Sequence, residues 1–104
     1  MPRARRGEIW IADLGIAAKV RPVLILSVEY QGNERAVVTY VIRTTSIRGT
    51  RYEVVHEARG MPSGAFDAQG IGSIPEVKLE RRVGAVDEET LTKGENALCV
   101  WLGL

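Results

Sequence analysis

The sequence contains one cysteine, Cys99, and one histidine, His56, in 104 residues. A lone cysteine excludes an intramolecular disulfide framework and a multi-cysteine zinc site, and suits a reducing compartment. A lone histidine excludes the within-chain histidine pair used by some acid–base catalysts. No apolar run approaches the ~18 residues that would span a membrane. The opening MPRARRGEIW has no apolar core of the signal-peptide kind, so a cytoplasmic location is expected. H-E-x-x-H, G-x-x-x-x-G-K-[ST], G-x-S-x-G and the dinucleotide fingerprint are all missing, which removes the common enzyme templates.

Apolar residues make up 45% and charged residues 26% of the chain, a globular composition of a length that suits one domain over residues 1–104. The net charge is only +1, but its signs are unevenly placed. Arg3, Arg5 and Arg6 open the chain, while Asp87, Glu88 and Glu89 cluster near its end. A local basic surface needs no basic protein.

Short runs of β-branched and aromatic residues broken by turn residues predict strands through the first half. The expected strands are 8–14, 23–28, 35–45 and 51–56, forming a meander with a turn at Arg48–Gly49. Residues 23–28 are nearly all apolar and suit a strand buried on both faces. Residues 65–74 carry Gly70 and Gly72, which predict a weakened or bulged strand, and 77–83 alternates as a half-exposed one. Asp87 is placed to cap a terminal helix whose Leu91, Leu98 and Trp101 share a face, with Gly94 a weak spot and Gly103 a stop. The fold class is mostly β with one C-terminal helix, a small curled or barrel-like sheet covered on one side. Open sheet edges and Trp101 suggest a homodimer.

The candidate chemistry is arginine and hydroxyl. Arg21 precedes Pro22, which holds it in extended geometry. Arg43, Thr44, Thr45 and Ser46 end the third strand, followed by Arg48 and Arg51. If the second and third strands are antiparallel neighbours, Arg21 comes close to Thr44. A guanidinium fork matches phosphate oxygens, and a neighbouring hydroxyl can orient an attacking oxygen, so the implied ligand is a phosphodiester. Taken alone, these residues also fit a bland reading in which threonine favours strands and arginine favours exposed strand ends. His56 reads as a structural or exposed histidine, and Cys99 as a buried apolar thiol.

With those residues in view, the chain resembles the MazF/PemK (Kid) family of toxin endoribonucleases from type II toxin–antitoxin modules. "RRGEIWIADLG" resembles the family's opening strand, "RPVLILS" its arginine–proline strand, and "VIRTTSIRGTRYEVV" its threonine-bearing strand with the hairpin after it. "DAQGIGSIPEVKLERRVGAVDEETL" resembles the later segment up to the helix start. Two differences stand out: only GIAAKV separates Leu14 from Arg21, where the family usually has a longer loop, and Ala68 separates Asp67 from Gln69.

The resemblance implies an SH3-like barrel with a helix, a homodimer, and metal-independent, cofactor-free cleavage of single-stranded RNA to a 2′,3′-cyclic phosphate and a 5′-hydroxyl. It carries Arg21 and Thr44 onto the family's catalytic arginine and threonine. Thr45, Ser46, Arg48, Arg51, Asp67 and Gln69 are the expected substrate contacts. A cognate antitoxin is the expected partner, and through it an indirect contact with operator DNA. No membrane is implied. The alternative is a non-catalytic SH3-like module that binds RNA or a peptide at the same rim.

Overall fold

The computed structural model describes residues 3–15, 17 and 19–104. Met1, Pro2, Ile16 and Ala18 lie outside the described residues, the last two within the GIAAKV connection. Six antiparallel strands, β1 (Glu8–Asp13), β2 (Val20–Ile25), β3 (Val37–Thr44), β4 (Glu53–His56), β5 (Gly64–Pro75) and β6 (Leu79–Ala85), precede one helix, α1 (Glu88–Leu102). They form one sheet in the order β4-β5-β3-β2-β1-β6. The class is mostly β with a terminal helix, as expected, and the sheet stays open, with β4 and β6 at its edges.

The centre of the sheet is buried on both faces. Trp10, Val23, Ile25, Val38, Tyr40 and Leu79 gather on one face, and Ile9, Leu24, Val41 and Phe66 on the other. Val23, Leu24 and Ile25 are wholly inaccessible, which is what an unbroken apolar strand between two cores requires. Helix α1 covers the second face through Leu91 and Leu98. Asp87 caps it by accepting from the Thr90 N–H at 2.8 Å, and Gly103 ends it in the left-handed conformation at φ 72°. Gly94 is buried there, with the Leu24 side chain close to its Cα, so it marks the place where helix and sheet approach.

Four expectations are corrected. The meander stops after β3, because β5 inserts between β3 and β4, and β4 pairs with β5 instead of forming a hairpin with β3. Strand β4 begins at Glu53, since Arg51 and Tyr52 belong to the turn that leads into it. Glu76–Lys78 is a single 3₁₀ turn, so the alternating strand starts only at Leu79. Cys99 is exposed, because α1 turns Leu98 toward the sheet and its neighbour away from it.

The basic opening segment is spent on internal contacts. Arg3 stacks on the Tyr30 ring at 3.7 Å and donates to the Tyr30 carbonyl at 2.8 Å. Arg5 meets Glu29 at 3.4 Å, and Arg6 pairs with Glu95 while donating to the Leu26 carbonyl. Buried Glu76 completes the anchor by accepting from the Ala4 N–H and the Tyr30 hydroxyl. These contacts pin the segment before β1 to the β2–β3 connection, to the 3₁₀ turn and to α1.

Candidate active site

Strand β2 begins three residues earlier than expected, so Arg21 and Pro22 lie within it and pair with Ala12 and Ile11 of β1. On its other side, the ladder to β3 begins only at Val23, opposite Ile42. Proline has no N–H to give a ladder, and here the β2–β3 pairing stops beside it. Two residues beyond the last pair, the same register sets Arg21 opposite Thr44. Both side chains fall on one face by the two-residue period, and both line a cleft of about 270 Å³.

Ile42, Ser46, Arg48, Glu53 and Asp67 complete the cleft lining. Asp67 arrives from β5, where it pairs with Ile42 on one side and Glu53 on the other. Immediately after it the β3–β5 register jumps, so that Ile42 faces Asp67 while Val41 faces Ile71, and residues 68–70 bulge out. The glycine-marked bulge was legible in the sequence. Its effect is to leave Asp67 at the cleft and Gln69 exposed on the bulge.

The hydrogen bonds separate the roles open to these groups. Thr44 Oγ1 accepts from the Ser46 N–H at 3.0 Å, which orients the hydroxyl and leaves its proton to donate into the cleft. Glu53 accepts from the N–H groups of Arg48, Gly49 and Thr50, at 3.1, 2.6 and 3.1 Å. Desolvation opposes its ionisation, but those three bonds and the Arg48 charge outweigh it and hold its carboxyl below the ordinary range. Glu53 is therefore a fixed anion that folds the β3–β4 connection, and a poor proton acceptor. Asp67 Oδ1 accepts from the Gln69 N–H at 3.0 Å, and its second oxygen makes no hydrogen bond among the described residues. Asp67 is thus the cleft carboxylate with one oxygen that no donor among the described residues occupies.

Of the expected site residues, Arg21, Thr44, Ser46, Arg48 and Asp67 come together, whereas Thr45, Arg51 and Gln69 do not line the cleft. Thr45 lies in the bend that follows β3 and is exposed. Arg51 lies against the Tyr52 ring at 4.8 Å and donates to its hydroxyl, on the side toward α1. Glu53 was missed. Its signal was Thr50-x-x-Glu53, the spacing by which a carboxylate reaches back to an N–H three residues earlier. A larger depression of about 590 Å³ lies by the β1–β2 connection, lined by Leu14, Val20, Ile74 and Pro75 with Lys19, Lys78 and Asp13. It lacks hydroxyl and guanidinium groups, so the smaller cleft is the chemically equipped one. Among the described residues, no group of three or more His, Cys, Asp or Glu side chains is placed to hold a metal ion.

Comparison with solved structures places this fold among known proteins. An endoribonuclease from a mycobacterial species, solved with its cognate antitoxin, is 29% identical, with a TM-score of 0.83 over 97% of this chain and 96% of that one. The Mycobacterium tuberculosis toxin MazF-mt6 is 28% identical, with a TM-score of 0.81 over 93% and 97% of the two chains. MazF in the MazE–MazF complex of Deinococcus radiodurans shares the fold at 19% identity, with a TM-score of 0.84 over 100% and 99%. The family model describing the PemK-like, MazF-like toxin of type II toxin-antitoxin systems matches residues 5–102, from the anchored arginines through the last turn of α1, and the chain belongs to that family.

Proposed function

We propose that this toxin is a metal-independent endoribonuclease that cuts single-stranded RNA at the cleft between Arg21 and Thr44. The observation that carries the reading is the facing of a guanidinium and an oriented hydroxyl where β2 and β3 part, with an uncommitted carboxylate beside them. RNA supplies its own nucleophile in the ribose 2′-hydroxyl. Asp67 takes the 2′-hydroxyl proton as that oxygen bonds to phosphorus, and Thr44 donates to a phosphate oxygen to hold the ester in line. Arg21 stabilises the charge that builds on the phosphate. The phosphorus–O5′ bond then breaks and the departing oxygen takes a proton from water, leaving a 2′,3′-cyclic phosphate and a 5′-hydroxyl. Ser46 and Arg48 contact the neighbouring backbone.

The same reading makes the chain a homodimer that acts in the cytoplasm and is silenced by a cognate antitoxin. The mycobacterial relative was solved with its antitoxin, and an acidic segment of such a partner would compete with RNA for Arg21 and Arg48. Operator DNA is reached only through the antitoxin. Exposed Val55 on edge strand β4, with Val100 and Trp101 on α1, supplies apolar surface for a second copy.

The test is incubation of a long single-stranded RNA with the purified toxin in EDTA, followed by mapping of new 5′-hydroxyl ends. New ends in EDTA support the reading. RNA binding without new ends would support a non-catalytic module.

A further inference from the structure

Arg43 poses a physical problem next door to the cleft. It is only 4% exposed, yet none of the described ion pairs includes it. A buried cation without a counter-ion is costly and needs compensating hydrogen bonds. Arg43 obtains them from neutral acceptors: Nε donates to His56 Nδ1 at 3.0 Å, and Nη2 donates to the carbonyls of His56 at 2.9 Å and Pro62 at 2.8 Å. Strand β5 lies between β3 and β4, so the side chain must cross it to reach His56. It crosses at Gly64, where a Cβ would stand 2.7 Å from Arg43 Nη1 and 2.7 Å from the Thr44 carbonyl oxygen. A guanidinium, a glycine and an imidazole thus tie three strand ends together one residue before Thr44, on the face opposite the cleft.

We infer that Arg43, held by neutral His56, is the positioning residue for Thr44, and that protonation of His56 releases it. The inference rests on the nuclease reading only for its effect on cleavage. Because Nδ1 accepts from Arg43, the imidazole proton lies on Nε2. Adding the second proton would turn Nδ1 into a donor pointing at another donor and set two positive charges about 3 Å apart. The groups around His56 are Arg43 from β3, the Phe66 ring from β5 at 4.7 Å, and the Asp87 carboxylate at the start of α1. Burial and then the Arg43 charge hold the imidazole below its ordinary pKa, while Asp87 acts the other way. The tie is therefore closed at neutral pH and opens on acidification.

Two substitutions divide a positioning role from a merely structural one. His56→Asn places an amide oxygen near the Nδ1 position, keeping an acceptor for Arg43 while removing the titration. His56→Leu removes the acceptor. At pH 7.5, His56→Leu is expected to lower kcat between about tenfold and 10²-fold with KM nearly unchanged, the scale of a small misplacement of a reacting group. His56→Asn should recover most of that loss and flatten the fall in rate on acidification below the ordinary histidine range. In parallel, ¹⁵N–¹H spectra of the full chain without RNA should show the Thr44 and Ser46 amides shifting with His56 protonation in the parent protein but not in His56→Asn. Amides that ignore that protonation would overturn the inference, as would parent-level kcat in a folded His56→Leu. If the parent cuts no RNA, the nuclease reading fails and the spectra still decide the positioning role.

Discussion

Arg21 and Thr44 face each other across the point where β2 and β3 part, two residues past their last ladder pair, Val23 and Ile42. The separation is built into the backbone. Pro22 coincides with the end of the ladder, and Thr44 is held by its bond from the Ser46 N–H. Neither side chain is needed to fill a core, so their removal tests chemistry with little effect on folding.

Replacing Thr44 by valine keeps shape and β-propensity while deleting the hydroxyl. A hydrogen bond to a charged group contributes about 1.5–3 kcal/mol, so cleavage should slow between about tenfold and 10²-fold. RNA affinity should change little, because phosphate charge dominates it. Filter binding and single-turnover cleavage on the same RNA separate the two quantities.

Glu53 links the cleft wall to acid stability. Its carboxyl pKa is lower in the folded chain than in the unfolded one, so over the interval between the two values the unfolded chain binds more protons. Stability from this group is therefore complete above the ordinary glutamate range and is lost as pH falls through the folded value. In Glu53→Gln that contribution should be absent, with the neutral-pH urea midpoint lowered and its decline on acidification below the ordinary glutamate range made shallower. Urea titrations across that range measure both.

Gly94 offers a stabilising change inside the same fold. Its added Cβ would meet Leu24 Cδ2 at 3.7 Å, an ordinary contact, and its φ is not in the left-handed region. Alanine in a helix interior is favoured over glycine by about 0.8–1.0 kcal/mol. Gly94→Ala should therefore raise the unfolding free energy by about that amount. A loss of stability in thermal unfolding would show that helix α1 sits tighter on the sheet than this contact allows.

Much of the fold was legible because local signals agreed with the tertiary outcome. The unbroken Val23–Ile25 core, the Asp87 cap and the Gly103 stop all follow from short-range chemistry. The place of β4 was not legible, since a turn at Arg48–Gly49 suits a hairpin equally well and only long-range pairing inserts β5. The facing of Arg21 and Thr44 followed from one assumption, antiparallel β2 and β3, which also sufficed for Ser46 and Arg48. That Arg51, Thr45 and Gln69 fall outside this cleft was not legible, because charge and hydroxyl content do not report which way a loop or bulge turns a side chain. Arg43 shows the same limit. It reads as one more rim arginine, yet strand alternation sends it to the opposite face and into the core.

The most direct test of the cleft is Arg21→Ala, assayed for single-turnover cleavage and for RNA affinity at one fixed salt concentration. Loss of one donor to the transition-state charge is expected to cost ~10²–10³ in rate, with affinity falling far less and the folded state retained by circular dichroism. A well-folded Arg21→Ala protein that cuts the same RNA at the parent rate would contradict the assigned site.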